Sequence, residues 1–384
     1  MLIQYTGRKT IEQIEYFSDS QGEILDINSN SMIIYGDNFK AMSSLLKSGY
    51  NEKIDLCYID PPFFTDNIFT FTEDRVRTIS NSKTGLVAYT DKFNRDEYFE
   101  FMRERFILIH KLLSPQGSFY LHIDTKIGHY LKILLDEIFG VENFLNEITR
   151  KKGNPKNFQR RAYGNEKDVI YFYAKDRTRN IWNDIKIECS EEELFKLFSK
   201  TSEDGRRYTT VPVHAPGECS GVTGGKWRDK LPPKGRHWRT APSELDKLDE
   251  AGLIEWSSNG NPRIKKFADE HKGKKIQDIW LGYKDPMYPE YPTQKNIEML
   301  ELIVRQSSSE NSIVLDAFAG SGGFLKAART FNRRFIAIDN GQKSIQILKD
   351  SLLYSDLFDQ PQFIDLEKEA ALSEYMDTEE HSVS

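Results

Sequence analysis

The chain has 384 residues, 38% of them hydrophobic and 12% aromatic, with a formal net charge of −6. That is enough to bury the core of one large domain with an insert, or of two domains, and it excludes a wholly disordered chain. No apolar run reaches the roughly 18 residues of a membrane span, and the start, MLIQYTGRKTIEQIEYF, has no signal-peptide core. Cys57, Cys189 and Cys219 lie far apart and are odd in number, so they read as reduced thiols of a cytoplasmic protein and not as disulfides or a zinc site.

After an N-terminal extension over 1–30, Ser31–Tyr35 (SMIIY) reads as a strand ending in Gly36, Asp37 and Asn38. Lys53–Ile59 (KIDLCYI) is a second buried strand, followed by Asp60, Pro61, Pro62 and Phe63. Tyr98–Leu113 has apolar residues at helical spacing, and Ser114–Gly117 forms a turn into the strand Ser118–Ile123. A helix follows over His129–Phe139. Arg150–Arg161 (RKKGNPKNFQRR) then carries six cations and no acid. The segment 180–289 lacks strand–helix alternation. It is rich in Gly, Pro, Trp and basic residues, with a second basic stretch at Lys226–Arg239. Ser312–Leu315 is again a strand, running into Asp316–Gly323 (DAFAGSGG) and a helix from Phe324 to Thr330. Arg334–Ile338 is a further strand, ending at Asp339. The remainder, 351–384, is an acidic and solvated tail.

Short apolar strands alternating with helices at both ends of the chain predict an α/β fold, a doubly wound and mostly parallel sheet. An inserted recognition region over 180–289 would separate a half over 31–179 from a half over 290–350. The net acidity speaks against a nucleic-acid partner only bluntly, because phosphate contacts need a basic face and not a basic protein.

The glycine-rich turn between a strand and a helix lets the backbone approach a ligand closely. Asp339, about twenty residues on, stands where such folds offer a carboxylate to ribose hydroxyls. That spacing fits a nucleoside cofactor without separating a dinucleotide from S-adenosylmethionine. Asp60-Pro61-Pro62-Phe63 discriminates: a carboxylate at the end of a buried strand, backed by two prolines that rigidify the turn and remove two N–H donors, with an aromatic ring able to stack on a base.

Together and in this order, the motifs resemble the amino-methyltransferase family of DNA methyltransferases in the arrangement called β. Asp60–Phe63 resembles its target-amine motif and Asp316–Gly323 its cofactor motif. Tyr291–Lys295 resembles the segment before the cofactor strand, and Gly36–Asn38 a further cofactor segment. The likeness covers most of 30–175 and 275–345. It implies a Rossmann-like methyltransferase fold and S-adenosylmethionine as cofactor, with no metal. Asp316, Phe318, Gly320, Gly322 and Gly323 would surround the methionine part, Asp339 would bind the ribose, and Asp37 the adenine amine. Thr293 and Lys295 would hold the cofactor carboxylate.

The resemblance further implies that Asp60 and the Pro61 carbonyl each accept one hydrogen of an exocyclic amine. The target base would be flipped out of the duplex and stacked on Phe63. Family members acting on N4 of cytosine usually carry Ser-Pro-Pro, so Asp60 favours N6 of adenine. Alternatives are the N4-cytosine reaction, methylation of RNA or of a protein amide, a catalytically silent DNA-binding modification subunit, and an NAD-dependent oxidoreductase. For double-stranded DNA the candidate contacts are Lys151, Lys152, Arg160, Arg161, Arg228, Arg236 and Arg239. Trp227 and Trp238 belong to the interior of the recognition region. A homodimer and a separate restriction endonuclease are further partners that the resemblance leaves open.

Overall fold

The structure, a computed structural model, describes residues 2–62, 68–71, 86–90, 94–153, 161, 163–286, 294–353 and 360–368. The chain divides into two units: residues 1–184 with 277–384, and residues 185–276.

The first unit is built on a nine-stranded sheet. Its strands are β1 (Met32–Tyr35), β2 (Ile54–Ile59), β3 (Leu113–Ile123), β4 (Phe144–Lys151), β5 (Lys167–Ala174), β6 (Ile279–Trp280), β7 (Ile313–Asp316), β8 (Arg334–Asp339) and β9 (Gln362–Asp365). Across the sheet they run β6-β4-β5-β3-β2-β7-β8-β1-β9. Only β5 opposes its neighbours; every other pair is parallel. The central strands are near-continuous apolar runs because helices cover both faces of such a sheet. The side chains of Ile54, Leu56, Cys57, Val314, Leu315, Ile336 and Ile338 have no exposed surface. The fold is therefore the doubly wound α/β sheet that the strand–helix alternation predicts.

The helices of this unit are α1 (Ile11–Gln21), α2 (Asn38–Leu45), α3 (Arg95–Leu112), α4 (Gly128–Phe139), α5 (Ile297–Ser307), α6 (Gly323–Thr330) and α7 (Gln342–Leu348). Local chemistry sets their starts. Asn94 and Glu97 form a capping box on α3, and Thr10 and Gln13 form one on α1, each satisfying otherwise orphaned N–H groups. Asp96 and Glu97 lie in the first turn of α3 and Lys111 in its last, matching the helix dipole at both ends.

Three expectations need correction. Ser114–Gly117 is not a separate turn before a strand; it is continuous with β3, which begins at Leu113. The segment after 351 is not simply a solvated tail, since β9 adds to the sheet edge beside β1, with Ile364 against Ile34. The segment expected as an insert over 180–289 returns to the sheet at its far end, where Ile279 and Trp280 pair with Thr149 and Arg150 as the other edge strand, in the first unit.

The second unit is small and mostly antiparallel. Strands at Ile254–Trp256, Pro262–Phe267, Arg207–Pro212 and Lys200–Thr201 form its main sheet in that order. Its core gathers Val213, Trp227, Trp238, Leu245, Ile254 and Ile264. Trp227 and Trp238 are both buried and meet edge to face at 5.8 Å, as interior residues do.

Candidate active site

Because β1, β2, β7 and β8 run in the same direction, their carboxyl ends open on one edge of the sheet, where doubly wound folds bind ligands. Strands β2 and β7 are direct neighbours, with Leu56 opposite Val314 and Cys57 opposite Leu315. The Asp60 turn and the glycine-rich turn thus emerge side by side, from positions more than 250 residues apart in sequence.

The Asp60 carboxylate is held from one side. Its Oδ2 accepts a hydrogen bond from Lys295 Nζ, just before α5, whereas Oδ1 is buried without a hydrogen-bond partner among the described residues. A buried lone acceptor is costly unless a ligand meets it. Pro61 is buried, and the carbonyl of Pro62 accepts the Tyr98 hydroxyl at 2.6 Å, so α3 pins the turn. Phe63 lies outside the described residues.

In the neighbouring turn, Asp316 Oδ1 accepts the Phe318 N–H at 3.0 Å. Gly320 and Gly322 have φ of +51° and +75°, a left-handed backbone that glycine adopts without strain. A Cβ on Gly322 would come within 2.4 Å of Leu348. Phe318 is half-buried and meets Phe101 edge-on at 6.2 Å. Burial, with Asp60 and Asp339 nearby, pushes the Asp316 carboxyl well above the ordinary aspartate range.

Asp339 ends β8. Its Oδ2 accepts the Gly320 N–H and its Oδ1 the Gly341 N–H, both at 2.8 Å, and Ser344 adds a side-chain bond. Burial nonetheless raises its pKa above the ordinary value. Asp37 follows β1 as the cap of α2. Its Oδ1 accepts the N–H groups of Phe39 and Lys40 at 2.9 and 3.1 Å, and its Oδ2 accepts from Arg105 Nη2 at 3.0 Å. A carboxylate has about four acceptor positions, so each of the two aspartates retains about one beyond the bonds described. Acceptors of this kind at the ends of β1 and β8, flanking a glycine turn, suit a nucleoside with a ribose diol and an exocyclic amine. Thr293 lies outside the described residues.

The sequence reading missed several polar residues here. Tyr98 and Arg105 stand on α3, whose apolar spacing drew attention away from its polar members. His122 is fully buried on β3, with Nδ1 2.8 Å from the Tyr58 hydroxyl and Nε2 3.4 Å from Asp168. Burial pushes the His122 pKa down. Burial alone would raise Asp168, but its bonds to His122 and Lys152 hold it well below the usual carboxylate range.

Three cations of the basic stretch Arg150–Arg161 are paired within the protein. Arg150 is fully buried against Asp285 and the carbonyl of Tyr283. Lys152 bonds Asp168 at 2.7 Å, and Lys151 pairs with Glu166 at 3.0 Å. Arg161 is exposed, while Arg160 lies outside the described residues. In the second unit Arg228 is paired with Asp246 and Asp249. Arg236 lies 3.2 Å from His214 Nδ1 and Arg239 donates to the Pro212 carbonyl at 2.9 Å, both remaining exposed.

Known proteins place this arrangement. Residues 54–350 match the family described as DNA methylase, which takes in both N6 and N4 enzymes. The type II methyltransferase M.EcaI of Enterobacter cloacae is 38% identical over 337 residues, covering 86% of this chain and 71% of that protein. M.KpnI of Klebsiella pneumoniae is 24% identical, covering 89% and 86% respectively. The Mod subunit of the type III enzyme StyLTI from Salmonella typhimurium is also 24% identical, and the match covers 83% of this chain but only 52% of that subunit. Among solved structures, an M1.HpyAVI–SAM complex superposes with a TM-score of 0.45 at 17% identity, over 84% of this chain and 99% of that one. The chain therefore belongs to the DNA methylase family, and it transfers a methyl group from S-adenosylmethionine to a base amine in DNA.

Proposed function

We propose that the chain methylates N6 of adenine at a specific sequence in double-stranded DNA. The observation that carries this reading is the Asp60 carboxylate, anchored through Oδ2 to Lys295 while Oδ1 is buried without a partner among the described residues. An amine nitrogen conjugated to a ring is a poor nucleophile. With Oδ1 accepting one N–H and the Pro61 carbonyl the other, the nitrogen is drawn towards a pyramidal geometry and its lone pair leaves the ring. The carboxylate also faces the positive charge that develops on that nitrogen. S-adenosylmethionine supplies the methyl group from a sulfonium. Asp37 and Asp339 orient its nucleoside, and Phe318 and the glycine turn border its methionine part. Lys295 serves Asp60 directly, and with Thr293 it holds the cofactor carboxylate.

The segment 185–276 acts as the recognition unit within the wider region 180–289. Arg236 and Arg239 reach DNA from it, and Lys151, Lys152, Arg160 and Arg161 contribute from the first unit. Arg228, committed to two carboxylates, contributes least. The type II and type III relatives support a place in restriction–modification, with a homodimer and a separate endonuclease as further partners. Among the described residues no helix is long and apolar enough to cross a membrane.

Expression in a host lacking DNA methylation, followed by nucleoside mass spectrometry and long-read sequencing, tests the reading. N6-methyladenine in one recurring sequence is the expected product. N4-methylcytosine would overturn the adenine assignment, and scattered methylation would overturn site specificity.

A further inference from the structure

We propose that Arg105 is a positioning residue for the methyl donor, acting through Asp37 and Asn38 on the two loops that receive its nucleoside. The proposal rests on the assignment of Asp37 to the adenine amine of the cofactor. Arg105 sits in α3 with only 4% of its surface exposed. A buried guanidinium is expensive and persists where its donors are matched.

Here four of the five N–H donors are matched. Nη2 donates to Asp37 Oδ2 at 3.0 Å and Nε to Asn38 Oδ1 at 2.7 Å. Nη1 donates to the Phe101 carbonyl at 3.1 Å and to Glu104 at 3.3 Å. The guanidinium carbon lies 3.6 Å from the centre of the Phe101 ring, which in turn meets Phe318 in the glycine turn. Asn38 continues the link, its Nδ2 donating to the Ala317 carbonyl at 2.9 Å. One planar fork therefore ties the loop after β1 to the loop after β7.

The lone-pair count says what the fork does. Asp37 Oδ1 is occupied by the backbone of α2 and one position of Oδ2 by Arg105, so the remaining Oδ2 position is fixed in direction. That carboxylate is half exposed, so a ligand amine can reach it. Without Arg105 the carboxylate could turn about its Cβ–Cγ bond and lose that aim. Lysine would keep the charge, but its single nitrogen cannot reproduce the fork to Asp37 and Asn38.

The test uses the full-length protein and two probes, S-adenosylhomocysteine and its analogue lacking the 6-amino group, with dissociation constants measured by calorimetry. Arg105→Gln is expected to weaken S-adenosylhomocysteine by about tenfold, the worth of one charge-assisted hydrogen bond, and the analogue far less. Arg105→Lys should show the same amine-selective loss to a smaller degree, and it serves if the glutamine variant does not fold. Asp37→Asn should produce a similar loss, and the double variant should lose no more than the worse single one. Equal weakening of both probes, or losses that multiply in the double variant, would overturn the positioning role. A full-affinity Asp37→Asn variant would instead sink the Asp37 assignment beneath it.

Discussion

The two units bury different things. The sheet-bearing unit encloses Arg103, Arg105, His122, Arg150, Asp168 and Asp316, while no charged or polar side chain is buried between 185 and 276. The smaller unit rests on a few apolar residues around Trp227 and Trp238 and keeps its ions at the surface. Buried polar networks cost desolvation and return fixed geometry. A thin apolar core under exposed charge returns an adaptable surface. The first suits chemistry that needs fixed donors and acceptors.

The largest effect is expected at the Asp60 carboxylate. Asp60→Ala should lower the rate of methyl transfer by about a thousandfold, the scale of losing a preorganised group at the reacting atom, with the affinity for S-adenosylmethionine nearly unchanged. Asp339→Ala should do the reverse in kind, weakening the cofactor by tenfold or more. Single-turnover kinetics with equilibrium binding separates the two. An active Asp60→Ala enzyme would remove the carboxylate from the mechanism, and unaltered cofactor affinity in Asp339→Ala would remove it from the pocket.

The smaller unit breaks differently. Trp238 is 2% exposed and its indole N–H donates to the Gly225 carbonyl at 2.8 Å. Trp238→Ala should cost about 3–5 kcal/mol, comparable with the whole stability of so small a core. Hydrogen exchange should then accelerate across 185–276 and stay slow in β2, β3 and β7, with cofactor affinity retained. Uniform acceleration would mean that the units do not unfold separately.

Acid sharpens the contrast. Burial, helped by Lys175, pulls the His110 pKa from 6.5 down to about 4. The folded sheet-bearing unit therefore favours neutral imidazole, whereas the unfolded chain takes up a proton below pH 6.5. Stability is full above that pH and is lost as pH falls to about 4, by roughly 2 kcal/mol after allowing for partial exposure. His110→Phe keeps a ring against Phe139 and should flatten this slope. In the smaller unit Glu255 is lowered by its bond to Lys200 and then by Tyr208, so its contribution persists above about pH 4.5 and fades only below. Chemical denaturation followed between pH 7 and 4 should show a shallower loss of stability for His110→Phe than for the parent chain.

How much of this was legible in the sequence follows the same division. The strands of the larger unit are apolar runs ending in Asp or Gly, which is the signature of parallel strands delivering loops to one edge. The Asp60 and glycine turns could be paired on that ground alone. The bond from Lys295 to Asp60 could not, since it joins positions 235 residues apart. Arg105 was hidden because arginine on an amphipathic helix normally belongs to solvent; the usable signal was Phe101 one turn before it. β9 escaped notice because its four residues lead directly into an acidic tail. Arg150 marks the limit of counting charge, since a run of cations does not show which of them a strand will bury.

Pairing of this kind sets the smallest prediction. Of the cations proposed to meet DNA, Lys152 is already bonded to Asp168 and Arg228 to Asp246 and Asp249, whereas Arg161 is exposed with no ion pair described. A phosphate contact releases counterions in proportion to the charge brought to the DNA, so removing one contact reduces the magnitude of the salt slope by about 1. Arg161→Ala should show that change, Arg236→Ala a similar one, and Arg228→Ala little, because its charge is already balanced within the smaller unit. Titrations of duplex binding at several salt concentrations distinguish these cases. If Arg228→Ala flattens the slope as much as Arg161→Ala, its two carboxylates release it on binding, and the smaller unit meets DNA through rearranged ion pairs instead of cations already free.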